Sequence, residues 1–456
     1  MFKYFLLLLF TALLLADYPL YAQEGPLPRI LSMEERASLR DQWLEERLED
    51  VLPALMRREQ IDMWVLIARE YNEDPVLKTM LPATWLSARR RTILLIYDPG
   101  AGKKLETLAI ARYDVGRQFK KAWDKEKEPD QWKRLAAIIE SKNPRKIAIN
   151  YSQHFALADG ITASEYERFL AALPEKLHSR VVPGEKLSIG WLETRTAAEM
   201  VVYRQVCRIA HHIIAEGFSE QAIQPGVTRT DELEWWYRER IRQLKLTAWF
   251  HPSVSIQRAD PASAEEQRSF SSRPEAAVIQ PGDLLHVDFG ISYLGLHTDT
   301  QQHAYVLRQG ESEPPAYLTE ALHTGNRLQD LLTGAFHTGR TGNEILAMAR
   351  KQALEAGITP AIYTHPIGYH GHGAGPTIGL WDQQEGVAVR GDYPLYPNTA
   401  YSIELNASVE IPQWNKSIRI MLEEDAFFNG ETVWYIDGRQ TRLLTVPRVS
   451  DQTDKP

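Results

Sequence analysis

Residues 61–70, "IDMWVLIARE", are almost continuously apolar, and so are "RRTILLIYD" (90–98), "ETLAIARYD" (106–114) and "RKIAINYS" (145–152). Short apolar runs of this kind predict strands covered on both faces. Between and before them the apolar positions recur at helical spacing, in residues 36–60, 130–143 and 162–173. Strand and helix alternation predicts a helix-covered sheet, so residues 23–185 are expected to form an α/β N-terminal domain. Neither common glycine-rich phosphate-loop spacing occurs there, which removes the usual signal for nucleotide binding.

The pattern changes near residue 186, where a second domain, 186–456, is expected. Residues 195–221 read as one long amphipathic helix. A second helix follows "QPGVTRTDEL", with Thr228 or Thr230 as its cap. A helical pair is predicted at 316–332 and 341–357, and strands broken by Gly and Pro fill most of the rest from Trp249 onward. This second unit therefore reads as α+β.

Within it, charged side chains fall where apolar ones are expected. "HVDFGISYLGLHTDT" places Asp288 and Asp299 in a strand and its hairpin partner, and a separation of eleven can bring both to one face. "TAYSIELNA" puts Glu404 inside an apolar strand. "IRIMLEEDAFF" puts Glu423 and Glu424 at the end of another. "THPIGYHGHGAGPTIGLWD" gathers His365, His370 and His372 among glycines. Buried carboxylates repel one another and are costly to desolvate, and a cation between them removes both penalties. Acids with imidazoles point to a divalent-cation site with mixed O and N ligands.

These motifs, in this order, resemble the pita-bread metallopeptidases, which include methionine aminopeptidase, Xaa-Pro aminopeptidase, prolidase and the metal-free creatinase. Asp288-Phe289-Gly290, Tyr293 and Asp299 resemble the family's first motif. Gly371-His372-Gly373-Ala374-Gly375 resembles its G-H-G-x-G, Ile403-Glu404 its I-E, and Glu423 the first acid of its last motif. The resemblance covers roughly residues 190–450. The α/β domain ahead of it resembles the creatinase and prolidase branch, and Xaa-Pro aminopeptidases within it. It implies two divalent metal ions, manganese first, with cobalt, zinc or iron as alternatives. It implies Asp288, Asp299, His372, Glu404 and Glu423 as ligands, with His370 as the alternative to His372 and with Asp299 and Glu423 shared between the metals. It further implies that a metal-activated water attacks the scissile carbonyl and that Glu404 acts as general base, with His365 and His370 as the remaining catalytic candidates. The family's second histidine, seven positions after the ligand, is not found at that distance from His372 (Gly379) or from His370 (Thr377).

The implied activity is removal of an N-terminal residue from short peptides, Xaa-Pro peptides among them, by a chain that can form a homodimer. A metal-free creatinase-like hydrolase of small amides, or a non-catalytic binding protein on the same fold, would be expected to have lost acids that are present here. The balance of 52 basic against 60 acidic residues, net −8, argues against a nucleic-acid partner. Lys3, the apolar run 4–16 and the small residues up to Ala22 read as a signal peptide, residues 1–22. A secreted or periplasmic protein is expected, with no stable membrane insertion after cleavage. The lone cysteine, Cys207, permits no internal disulfide and reads as a packed residue.

Overall fold

A computed structural model describes residues 26–259 and 276–448. The expected signal peptide lies outside the described residues. Among them, no helix is long and apolar enough to cross a membrane.

The predicted apolar runs form one mixed six-stranded sheet. Its order is Lys120–Lys121, Glu106–Ala109, Arg91–Tyr97, Met63–Arg69, Ile147–Ile149, Val181–Pro183. Met63–Arg69 is antiparallel to Arg91–Tyr97 and parallel to Ile147–Ile149. Both faces are covered, which is why the runs do not alternate with polar residues. Trp64 and Leu66 pack with Leu52, Leu187 and Trp191 on one side. Val65 and Ile67 pack with Leu135, Ile139 and Phe169 on the other. The predicted helix over 36–60 is instead Met33–Glu46, a π-helical turn Arg47–Val51, and Leu52–Arg58. Pro53 has no N–H to return to the preceding turn, and the ladder is re-spaced around it.

The second unit begins at Ala197–Gly217, whose cap is fixed by Thr196 and Glu199 bonding each other's backbone N–H. Glu199 also accepts from Tyr369 Oη at 2.6 Å and pairs with Arg47 at 3.0 Å, both charges fully buried. This network joins the N-terminal helix to the glycine-rich loop after His365. The next helix, Thr230–Gln243, is capped by neither expected threonine. Arg229 holds the cap position, Thr228 Oγ1 accepts from Gln224, and Thr230 Oγ1 accepts from Ala277.

Among the described residues, three larger sheets follow, beside one two-stranded hairpin. One has the order Leu444–Val446, Thr300–Val306, Leu284–Phe289, Ser253–Gln257. A second has Thr359–Ile362, Leu405–Ile411, Lys416–Leu422, and a third has His365–Pro366, Thr399–Ser402, Asp425–Phe428, Val433–Tyr435. The helices Ala197–Gly217 and Thr230–Gln243 share a core with the first sheet, through Ile213, Leu233, Val287 and Phe289. The pair Ala316–Gly334 and Gly342–Glu355 packs on Leu405, Ile420 and Leu422 of the second. Cys207 is buried, with Sγ 3.5 Å from Asp425 Oδ2.

Candidate metal centre

The acids sit where strands leave one sheet for another. Glu404 is not inside a strand. Thr399–Ser402 ends in the third sheet, Leu405–Ile411 begins in the second, and Glu404 is at the corner. Glu423 and Glu424 occupy the matching corner between Lys416–Leu422 and Asp425–Phe428. Ile403 N donates to Glu424 O at 2.9 Å and holds the corners together. Asp288 lies in Leu284–Phe289. The expected return strand begins only at Thr300, one residue beyond Asp299, after a small hairpin of Ser292–Tyr293 and Leu296–His297. Gln301 is therefore the residue facing Asp288 in the ladder, and it also bridges to Glu423.

These corners bring Asp288, Asp299 and Glu423 into one group of potential ligands, and His365, Glu404 and Glu423 into another. His365 Nε2 lies 3.4 Å from Glu423 Oε1, 3.7 Å from Asp299 Oδ2 and 3.9 Å from Glu404 Oε2. Its Nδ1 is 3.1 Å from the Pro366 carbonyl oxygen. A carbonyl can only accept, so Nδ1 carries the proton and the Nε2 lone pair faces the acids. That nitrogen, Asp288 Oδ1 and Asp299 Oδ1 are buried without a hydrogen-bond partner. Acceptors aimed at acceptors are stable around a cation, so this donor set fits a hard or borderline divalent ion.

Without a cation three of the acids are harder to ionise. Burial, then repulsion from Glu423, raises Asp288, Asp299 and Glu404 well above the usual carboxylate range. Gln301 Nε2 donates at 2.7 Å to Glu404 Oε1 and at 2.7 Å to Glu423 Oε2. Ser402 Oγ donates to Glu423 Oε1 at 2.7 Å.

The three candidate histidines stand differently toward the acids. His365, kept for catalysis in the sequence reading, is the imidazole that faces the acids. His372, the expected ligand, is exposed and reaches only Asp299 and His365 as potential ligand partners. Its ring lies 4.7 Å from that of His365 and 5.3 Å from that of Trp249. Burial, then the neighbouring His365, lowers His372 to about 4, so it is neutral at pH 7. His370 is outside the cluster, stacked 6.3 Å from His297. The missing second histidine is not missing, because His372 stands seven positions after His365. That spacing is readable in the sequence.

Two glycines make the loop possible. A side chain at Gly371 or at Gly290 would sit 2.3 or 2.4 Å from the Trp249 ring system. Trp249 Nε1 donates to Thr298 O at 2.8 Å, one residue before Asp299.

His211, on the helix Ala197–Gly217, is a further buried histidine. Its Nε2 is 2.6 Å from Glu424 Oε2 and its Nδ1 3.2 Å from Asp437 Oδ2. Burial alone would lower this histidine, but Glu424 and Asp437 together raise it to about 10. Gln302 Nε2 holds the other Glu424 oxygen at 2.8 Å. Nothing in local spacing announces a contact between residues 213 positions apart.

Comparison with known proteins agrees with this architecture. Residues 202–425 match metallopeptidase family M24. No curated protein matches the chain. The chain is similar to the solved X-Pro aminopeptidase of Thermotoga maritima, at 18% identity and a TM-score of 0.60, covering 86% of this chain and 100% of that one. It is similar to a Xaa-Pro dipeptidase of Bacillus anthracis, at 19% identity and 0.55, covering 91% and 100%. A third likeness is to a structure described as a putative aminopeptidase P of Bacillus anthracis, at 11% identity and 0.58, covering 88% and 96%. At these identities the likenesses show the fold, an α/β domain followed by a pita-bread domain. The matched segment, residues 202–425, is a metallopeptidase family M24 domain.

Proposed function

We propose that this M24 metallopeptidase is an exported aminopeptidase that uses two divalent cations, manganese first, to remove the N-terminal residue of short peptides, including Xaa-Pro peptides. The observation that carries the reading is the acceptor-only cluster of Asp288, Asp299, His365, Glu404 and Glu423, with three of its buried ligand atoms left without partners. Asp288 and Asp299 would hold one cation and His365 and Glu404 the other, with Asp299 and Glu423 shared. When bound, the cations supply Lewis-acid polarisation of the scissile carbonyl and acidify the attacking water.

The chain's own groups do the rest. Glu404 takes the proton of the attacking water and delivers it to the leaving amine. His372, exposed and neutral at pH 7, donates a hydrogen bond to the substrate carbonyl oxygen. The rings of Trp249 and Tyr363 flank His372 and hold it in place. Export rests on Lys3, the apolar run 4–16 and Ala22.

The test is a panel of short peptides with and without proline at the second position, incubated with the manganese-loaded protein and read by mass spectrometry. Release of single N-terminal residues supports the reading. Internal cleavage, or no cleavage of any peptide, contradicts it.

A further inference from the structure

We infer that Gln301, held by His286, is a positioning residue that sets the orientation of Glu404 and Glu423 for metal binding. The inference rests on the proposed metal site.

Gln301 is buried, and both its hydrogen-bonding ends are engaged. Its amide reaches one oxygen each of Glu404 and Glu423, and these carboxylates are acceptors, so the –NH2 end must face them. Oε1 then points away and accepts at 3.0 Å from His286 Nε2. This makes His286 the Nε2–H tautomer, and its Nδ1 lies 3.4 Å from Ser255 Oγ, which can donate to it. The directions agree along the whole chain, from Ser255 through His286 and Gln301 to the two acids. Each link is on a paired strand. Ser255 pairs with His286, and Gln301 pairs with Asp288 and bridges to Glu423.

The consequence is a division of each carboxylate. Gln301 takes Glu404 Oε1 and Glu423 Oε2, while Glu404 Oε2 and Glu423 Oε1 face His365. A side chain at 301 without donors would take from Glu404 the hydrogen bond to Oε1 and leave Glu423 held through Ser402. Outer hydrogen bonds of this kind orient ligands and typically change metal affinity about 10–100-fold.

The test measures manganese affinity by calorimetry for wild type, Gln301→Met, His286→Phe and the double variant. Circular dichroism and melting temperature report folding. Gln301→Met keeps the side-chain length and removes the donors, and its affinity is expected to fall about 10–100-fold. His286→Phe, which also stands alone should Gln301→Met not fold, is expected to lose several-fold. The double variant is expected to be no weaker than Gln301→Met, because His286 acts only through Gln301. Wild-type affinity in Gln301→Met, or losses that multiply independently in the double variant, would overturn the inference. A wild type that takes up no manganese would overturn it together with the proposed function. Wild-type uptake with an unaffected Gln301→Met would overturn the inference alone.

Discussion

The Nε2 of His365 and the Oε1 of Glu423 face each other at 3.4 Å, too far for a good hydrogen bond, while His365 Nδ1 donates to the Pro366 carbonyl. A lone pair held against a carboxylate is a cation ligand waiting for its ion. His365→Ala should therefore lose manganese affinity by about 100-fold or more, and activity with it. His372→Ala should keep its metal and lose about 10²–10⁴-fold in kcat. Metal analysis of both variants beside their kinetics checks this. Loss of metal in His372→Ala with retention in His365→Ala would return His372 to the ligand set.

His370 lies outside the acid cluster, stacked on His297. His370→Ala should bind manganese like wild type and keep kcat within about threefold, since His370 belongs to none of the candidate ligand groups. A loss as large as that of His372→Ala would show that the loop presents His370 to the substrate.

Much of this site was legible in the sequence because its acids interrupt apolar runs. Asp288, Asp299, Glu404 and Glu423 are such interruptions, and the structure brings them together. What the sequence did not reveal is how the strands end. Glu404 looked like the middle of a strand, because nothing local says that a chain will cross from one sheet to another at a continuous apolar run. The same blindness hid Gln301 and His211. Both act through contacts more than a hundred positions away, and both belong to residue types that are ordinarily unremarked in a strand or a helix.

The raised acids make stability depend on pH and metal together. In the metal-free protein Asp288, Asp299 and Glu404 hold protons that the unfolded chain releases near pH 4. The folded state then binds more protons than the unfolded one, so stability falls as pH rises above that range. A cation replaces those protons. The melting-temperature gain on adding manganese should therefore be larger at pH 8 than at pH 5.5. Equal gains at both pH values would contradict the raised acids.

His211 has the same pH sign, but here it is the charged form that is favoured. Its folded value of about 10 lies above the ordinary value, so its contribution is complete below about pH 6.5 and is lost as pH rises through 10. His211→Ala leaves Glu424 and Asp437 buried with fewer partners. Breaking a buried pair in this way costs about 3–5 kcal/mol. Denaturant unfolding at pH 7 should show that loss, and the gap between wild type and variant should narrow towards pH 10. A gap that widens with pH would contradict the charged imidazole.

The most direct test of the account is the metal content of the purified protein, after saturation with manganese and desalting, beside an Asp299→Ala variant. The account predicts about two ions per chain in wild type and loss of binding in the variant, because Asp299 would be a ligand shared by both ions in the proposed site. A wild type that retains no divalent ion, or a variant that retains as much as wild type, would contradict it.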